Sequence, residues 1–131
     1  MTEPTAPLPG GARLPRPERN PDALRVALAR VAPHRLPEME RQKNEAFQLA
    51  AQTAHLGPIQ GWLTVWAGEV EIERRPDLLA RRHAAEQTLQ TLQRHDPAWQ
   101  AARAELLAVL TEAREATTRP GPGSTNPTSR T

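Results

Sequence analysis

The chain has 131 residues, 17 basic and 15 acidic side chains, and no cysteine. Disulfides, thiol catalysis and thiolate zinc sites are therefore excluded. No apolar run approaches the roughly 20 residues of a membrane span. The N-terminus also lacks the basic-then-apolar order of a secretion signal, so a cytoplasmic protein without membrane contact is expected.

The pI near 10.3 overstates the positive charge. The basic residues are 16 Arg and the single Lys43, and there is no Tyr. Almost nothing titrates between pH 8 and 10, so a net charge of +2 drives the pI very high. Residues 21–117 hold 12 basic and 13 acidic side chains, a net −1. Nucleic acid needs clustered cations that release counterions, and a balanced surface does not offer them, so nucleic acid is not the expected partner.

Residues 1–19 contain five prolines and two glycines, and residues 118–131 contain three prolines and two glycines. Neither stretch can bury enough apolar surface to offset the entropy of ordering. Two disordered Pro-rich tails are expected around a helical domain at 20–117. Within the first tail, Leu14-Pro15-Arg16-Pro17 also reads as a docking peptide in the polyproline conformation.

Proline punctuates the middle of the chain. Pro21, Pro37, Pro58, Pro76 and Pro97 each open an apolar periodic segment, where the fixed φ and missing N–H suit a first helical turn. Asn20, Gly57 and Asp96 precede three of them as N-caps, and Pro33 closes the first segment. Five helices are predicted. The first, about 21–31, carries Leu24, Leu28 and Val31. The second, about 37–54, carries Met39, Ala46, Phe47, Ala50 and Ala54. The third, about 58–74, carries Ile59, Trp62, Leu63, Trp66 and Val70. The fourth, about 76–94, carries Leu78, Leu79, Ala85, Leu89 and Leu92, and the fifth, about 97–116, carries Trp99, Ala102, Leu106, Val109, Leu110 and Ala113. Each set has the i, i+3, i+4, i+7 spacing of one helix face. Residues 64–73 also alternate as a hairpin would, with Gly68 at the turn. The helical spacing of Trp62 and Trp66 and the Glu71–Arg75 pair favour helix there. The fold class is an all-α compact bundle.

The groups that carry chemistry are sparse. His34, His55, His83 and His95 lie on separate elements, and the only serines, Ser124 and Ser129, sit in the tail. Glu69, Glu71 and Glu73 have no adjacent nucleophile or histidine and read as a solvated acidic face. No phosphate-binding glycine loop is present. No catalytic residue, metal site, cofactor or small-molecule substrate is implied, and a non-enzymatic protein is expected. Two features remain as candidate partner-binding residues. Arg74, Arg75, Arg81 and Arg82 bracket Pro76 as the densest positive patch; they serve either phosphates and a partner's acids or local helix-end and i,i+4 pairs. Trp66 reads as core, and Trp62, offset by about 40° around the helix, as an anchor nearer the surface.

Leu36-Pro37-Glu38-Met39-Glu40, Ala46, Ala50, Leu56-Gly57-Pro58-Ile59, Trp66 and Pro76-Asp77, with the leading Pro21-Asp22-Ala23-Leu24, form a recurring arrangement. In it, residues 36–80 resemble a family of small uncharacterised helical proteins from actinobacteria, antitoxin-like in size and helical content. The resemblance implies a helical partner-binding protein and transfers no catalytic residue. The alanine-rich core supplies modest hydrophobic free energy, so pairing with another protein or with itself is expected. The leading expectation is thus a protein-interaction module, antitoxin-like in its most concrete version. The alternative is a nucleic-acid-associated regulator using the Arg74–Arg82 patch.

Overall fold

Proline sets the start of every helix. In a computed structural model of the protein, residues 14–118 are described, and five α-helices run through them. They are α1 (Pro21–Val31), α2 (Leu36–Thr53), α3 (Gly57–Arg74), α4 (Pro76–Thr91) and α5 (Pro97–Thr118), with a 3-10 turn at Pro33–Arg35 between the first two. Pro21, Pro37, Pro58 and Pro76 occupy the first or second helical position. Asn20 caps α1 by accepting from the Ala23 N–H at 2.8 Å, and Asp96 accepts from the Ala98 N–H at 2.8 Å. Gly57 is the first residue of α3 and not its cap, which is Leu56. Residues 64–73 are helix throughout, and among the described residues there is no strand.

α4 stops three residues short of its expected end. The Thr91 hydroxyl turns back to the Gln87 carbonyl at 3.1 Å, and Leu92 is extended at φ −112°, ψ 166°. The chain needs residues 92–96 to reverse into α5. Leu92 therefore leaves the apolar face assigned to it and stands 36% exposed.

Two apolar clusters form the core. α1, α2 and α3 enclose Leu24, Leu28, Met39, Trp62, Trp66 and Val70, while α3, α4 and α5 enclose Ile72, Leu78, Val109 and Ala113. Helix α3 is common to both, which makes it the spine of the bundle. It is crossed closely at Gly68, where an added Cβ would lie 2.9 Å from Arg114 Cγ on α5. Such an approach needs a residue without a side chain. Helix α2 has much thinner cover. Between residues 47 and 57 only Ala50 is buried. Phe47, expected on the buried face, is 44% exposed. It lies one residue, or about 100°, round the helix from Ala46, and the face that meets α3 is the one carrying Met39 and Ala50.

Residues 14–19 correct the expected N-terminal boundary. They form no helix, and Leu14 packs against the α1–α3 cluster. The Leu14 carbonyl accepts from Arg74 Nη1 at 2.7 Å, and Arg19 donates to the Thr64 hydroxyl at 2.7 Å. Polar anchors order this stretch where apolar burial alone would not. The parts of both expected tails before residue 14 and after residue 118 lie outside the described residues.

Candidate functional site

Helix α3 carries its acids two residues apart, so helical geometry sends them to two sides. Glu69 and Glu73 share one face. Arg35 from the 3-10 turn donates to Glu69 at 2.7 Å and to Glu73 at 3.3 Å. Arg82 from α4 donates to the same two carboxylates at 2.7 and 2.9 Å. Two guanidiniums and two carboxylates thus close a box that ties the first cluster to the fourth helix. Arg35 also stacks 4.9 Å above the Trp66 ring, whose Nε1 donates to Gln42 Oε1 at 2.9 Å. Burial raises the Glu69 carboxyl, but the hydrogen bonds from Arg35 and Arg82 outweigh it and hold the group below its ordinary range.

Glu71 points the other way and is 1% exposed. Arg16 grips it with Nε and Nη2, each at 2.9 Å, and Arg74 with Nε and Nη2 at 2.9 and 3.1 Å. Arg75 stands at 3.5 Å. Burial again pushes the carboxyl up, and Arg16 and Arg74 overcome it and lower it. Farther along, Arg81 bridges Glu105 and Glu112 on α5, at 2.7 Å to each, and these bonds raise its guanidinium further.

These contacts revise two expectations. Glu69, Glu71 and Glu73 are no solvated face: they are the buried or half-buried centres of ion pairs. The Arg74–Arg82 stretch is no open cationic patch either. Arg74 and Arg82 are buried, and Arg75 and Arg81 are half-buried. With Arg16 and Arg35, these arginines meet eight carboxylates among the described residues. Arg82 reaches Glu86, the i,i+4 carboxylate on its own helix, only at 4.0 Å. Its strong bonds go to another helix. Positive charge that is matched in this way has little left for phosphates. No lone sequence feature signalled this, because Arg16 and Glu71 are 55 residues apart. Arg16, expected only as part of a docking peptide, and Arg35, to which the sequence assigned no role, are as central to the lattice as the four arginines of the expected patch.

Trp62 is also reassigned. It is 5% exposed against 1% for Trp66, and its Nε1 donates to the Met39 carbonyl at 3.2 Å. Helix α2 lies along α3 and covers both indoles, so the 40° offset does not bring Trp62 to the surface. Trp62 forms instead the floor of an open groove of about 430 Å³ between α2 and α3. Ala46, Leu49, Pro58 and Val65 give the groove its apolar walls, and Arg41 and Glu45, paired at 3.4 Å, mark its rim. Phe47, Leu49 and Leu56 stand 44%, 48% and 63% exposed at this end of the molecule. Among the described residues they are three of the six large apolar side chains exposed by more than a third, and all three fall within residues 47–56.

All four histidines are exposed. Among the described residues no three His, Asp or Glu side chains stand together as metal ligands, and no helix is long and apolar enough to cross a membrane. Compared with protein-family models, with curated proteins and with solved structures, the chain gives no match.

Proposed function

We propose that the protein is a non-enzymatic helical interaction module that binds another protein through the α2–α3 groove. The observation that carries this reading is an apolar groove lined by Ala46, Leu49, Pro58, Trp62 and Val65, with Phe47 and Leu56 also exposed on the segment 47–56. Exposed apolar surface concentrated beside a groove marks binding sites in soluble proteins. The buried edge of Trp62 serves as a rigid base, and Leu49 and Phe47 are the side chains that a partner would cover. An antitoxin-like role, in which the partner is a toxin held inactive, is the finer form of this proposal and draws on the resemblance of residues 36–80.

The test separates binding from folding. Leu49 is half exposed, and surface substitutions of this kind shift stability by about 0.5 kcal/mol or less. The tagged full chain, purified from its host, should bring down a partner in stoichiometric amount. The Leu49→Glu variant should lose that partner while its melting temperature stays within about 2 °C of wild type. Equal recovery of the same partner by both proteins would remove the groove from the interface.

A further inference from the structure

The Leu14–Asn20 segment contacts the body as a bound peptide does. It forms no helix, and point anchors hold it: Leu14 on the α1–α3 cluster, Arg16 on Glu71, the Leu14 carbonyl on Arg74, and Arg19 on Thr64. Between these anchors the segment stands away from α1. An open groove of about 560 Å³ remains between them, walled by Leu14, Pro17, Ala23, Val26 and Ala27. Val26 is 60% exposed there.

The receiving cleft is complete without the segment. Arg74 holds Glu71 through two bonds of 2.9 and 3.1 Å, and Arg75 lies at 3.5 Å. Withdrawing Arg16 therefore does not leave a buried carboxylate without a cation, which is the situation that would make release costly. The connection to α1 also suits a pivot. Glu18 and Arg19 are exposed, the chain bends at Arg19 and Asn20, and Asn20 is extended at φ −144°, ψ 160°. No helix needs to break for the segment to swing out.

We propose that the cleft around Glu71 is a recognition site for the Leu-Pro-Arg-Pro segment, and that a second copy of the chain supplies that segment in exchange for its own. Each contact is then remade with the same atoms, which is why swapping an identical element is an inexpensive route to a dimer. The surface is separate from the α2–α3 groove. Its ligand chemistry is specific: an apolar residue, a proline, then an arginine whose planar fork matches the two oxygens of a fixed carboxylate. A segment tethered by a short linker competes at an effective concentration of about millimolar, so wild-type chains exchange mainly at high protein concentration.

Two full-length variants expose the exchange at lower concentration. One carries Leu14→Ala with Arg16→Ala, which disables the segment and leaves the cleft intact. The other carries Glu71→Gln, which weakens the cleft and leaves the segment intact. Alone, each should sediment as a monomer at 0.1 mM, about a tenth of the tether's effective concentration. Mixed, they should form at least fivefold more dimer than either alone, because only the mixture pairs a good segment with a good cleft. A mixture as monomeric as its components would overturn the proposal. The second measurement does not depend on the Glu71→Gln chain folding. A synthetic peptide of residues 14–20, titrated onto the Leu14→Ala, Arg16→Ala chain, should raise its melting temperature by about 5 °C at ten times its Kd, and further with the logarithm of its concentration. The same peptide with Arg16→Ala should give no shift. Absence of any shift with the wild-type peptide would equally overturn the site. Peptide binding without dimer in the mixture would move the occupant to a different protein and overturn the second copy as its source.

Discussion

Replacing Trp62 by alanine should destabilise the protein about as much as replacing Trp66. Trp62 is 5% exposed and Trp66 1%. A buried indole removes about 150–250 Å² from water, which at about 25 cal/mol per Å² is worth roughly 4–6 kcal/mol. Each ring also donates one hydrogen bond, Trp62 to the Met39 carbonyl at 3.2 Å and Trp66 to Gln42 at 2.9 Å, each contributing about 1 kcal/mol net. Measured Trp→Ala costs in cores centre on about 3–5 kcal/mol, because the site partly collapses. A domain of this size has about 5–15 kcal/mol in total. Each change should therefore lower the melting temperature by at least about 12 °C. Far-UV circular dichroism at 222 nm is the appropriate probe, since removing an indole changes the fluorescence baseline. Urea melts should show a lower midpoint at unchanged slope. A Trp62→Ala protein that melts within about 2 °C of wild type would refute the assignment of Trp62 to the core and restore it as an exposed anchor.

Two further outcomes follow from the electrostatics and the backbone. Glu69 and Glu71 are held below their ordinary carboxyl value of 4.5 by their arginines; the stability they add is complete above that pH and is lost as pH falls toward the lower folded values. Melting temperature should stay level from pH 7 to 5 and fall steeply below about 4.5, the Glu69→Gln protein falling less, and a curve flat to pH 3 would contradict the ion-pair account. Ala54 ends α2 at φ 61°, ψ 33°, a left-handed conformation that costs a residue with a Cβ about 1–2 kcal/mol. After the larger unfolded-state entropy of glycine is subtracted, Ala54→Gly should stabilise by about 0.5–1 kcal/mol in a denaturant titration, and a lower midpoint would show that the strain is absent.

The helices were legible because their signals are local. A proline at the first turn acts through its own φ and its own missing N–H, and a stripe of apolar residues is spaced by the helix that carries it. All five predicted helices are present, with starts displaced by no more than one residue. The errors lie where distant chain decides. The expected end of α4 fails because the turn into α5 needs Leu92. Phe47 is misplaced because α3 alone covers the end of α2, leaving room for a buried face only as wide as Ala50.

The same distinction explains why the arginines were found and their role was not. A run such as Arg74-Arg75 beside Arg81-Arg82 looks positive when the chain is read as a line, because its balancing acids lie elsewhere on that line. Glu69 and Glu73 reach Arg82 only because the break at Arg75-Pro76 turns α4 back alongside α3, and Arg35 joins them from 34 residues upstream of Glu69. Local charge density thus measures a surface only where the neighbours in space are the neighbours in sequence. On α2 from residue 47 onward that condition holds, since the helix is exposed nearly all round. Exposed apolar residues there keep the meaning that the lattice removes from the arginines, and the proposed binding surface is put on α2 and α3 for that reason.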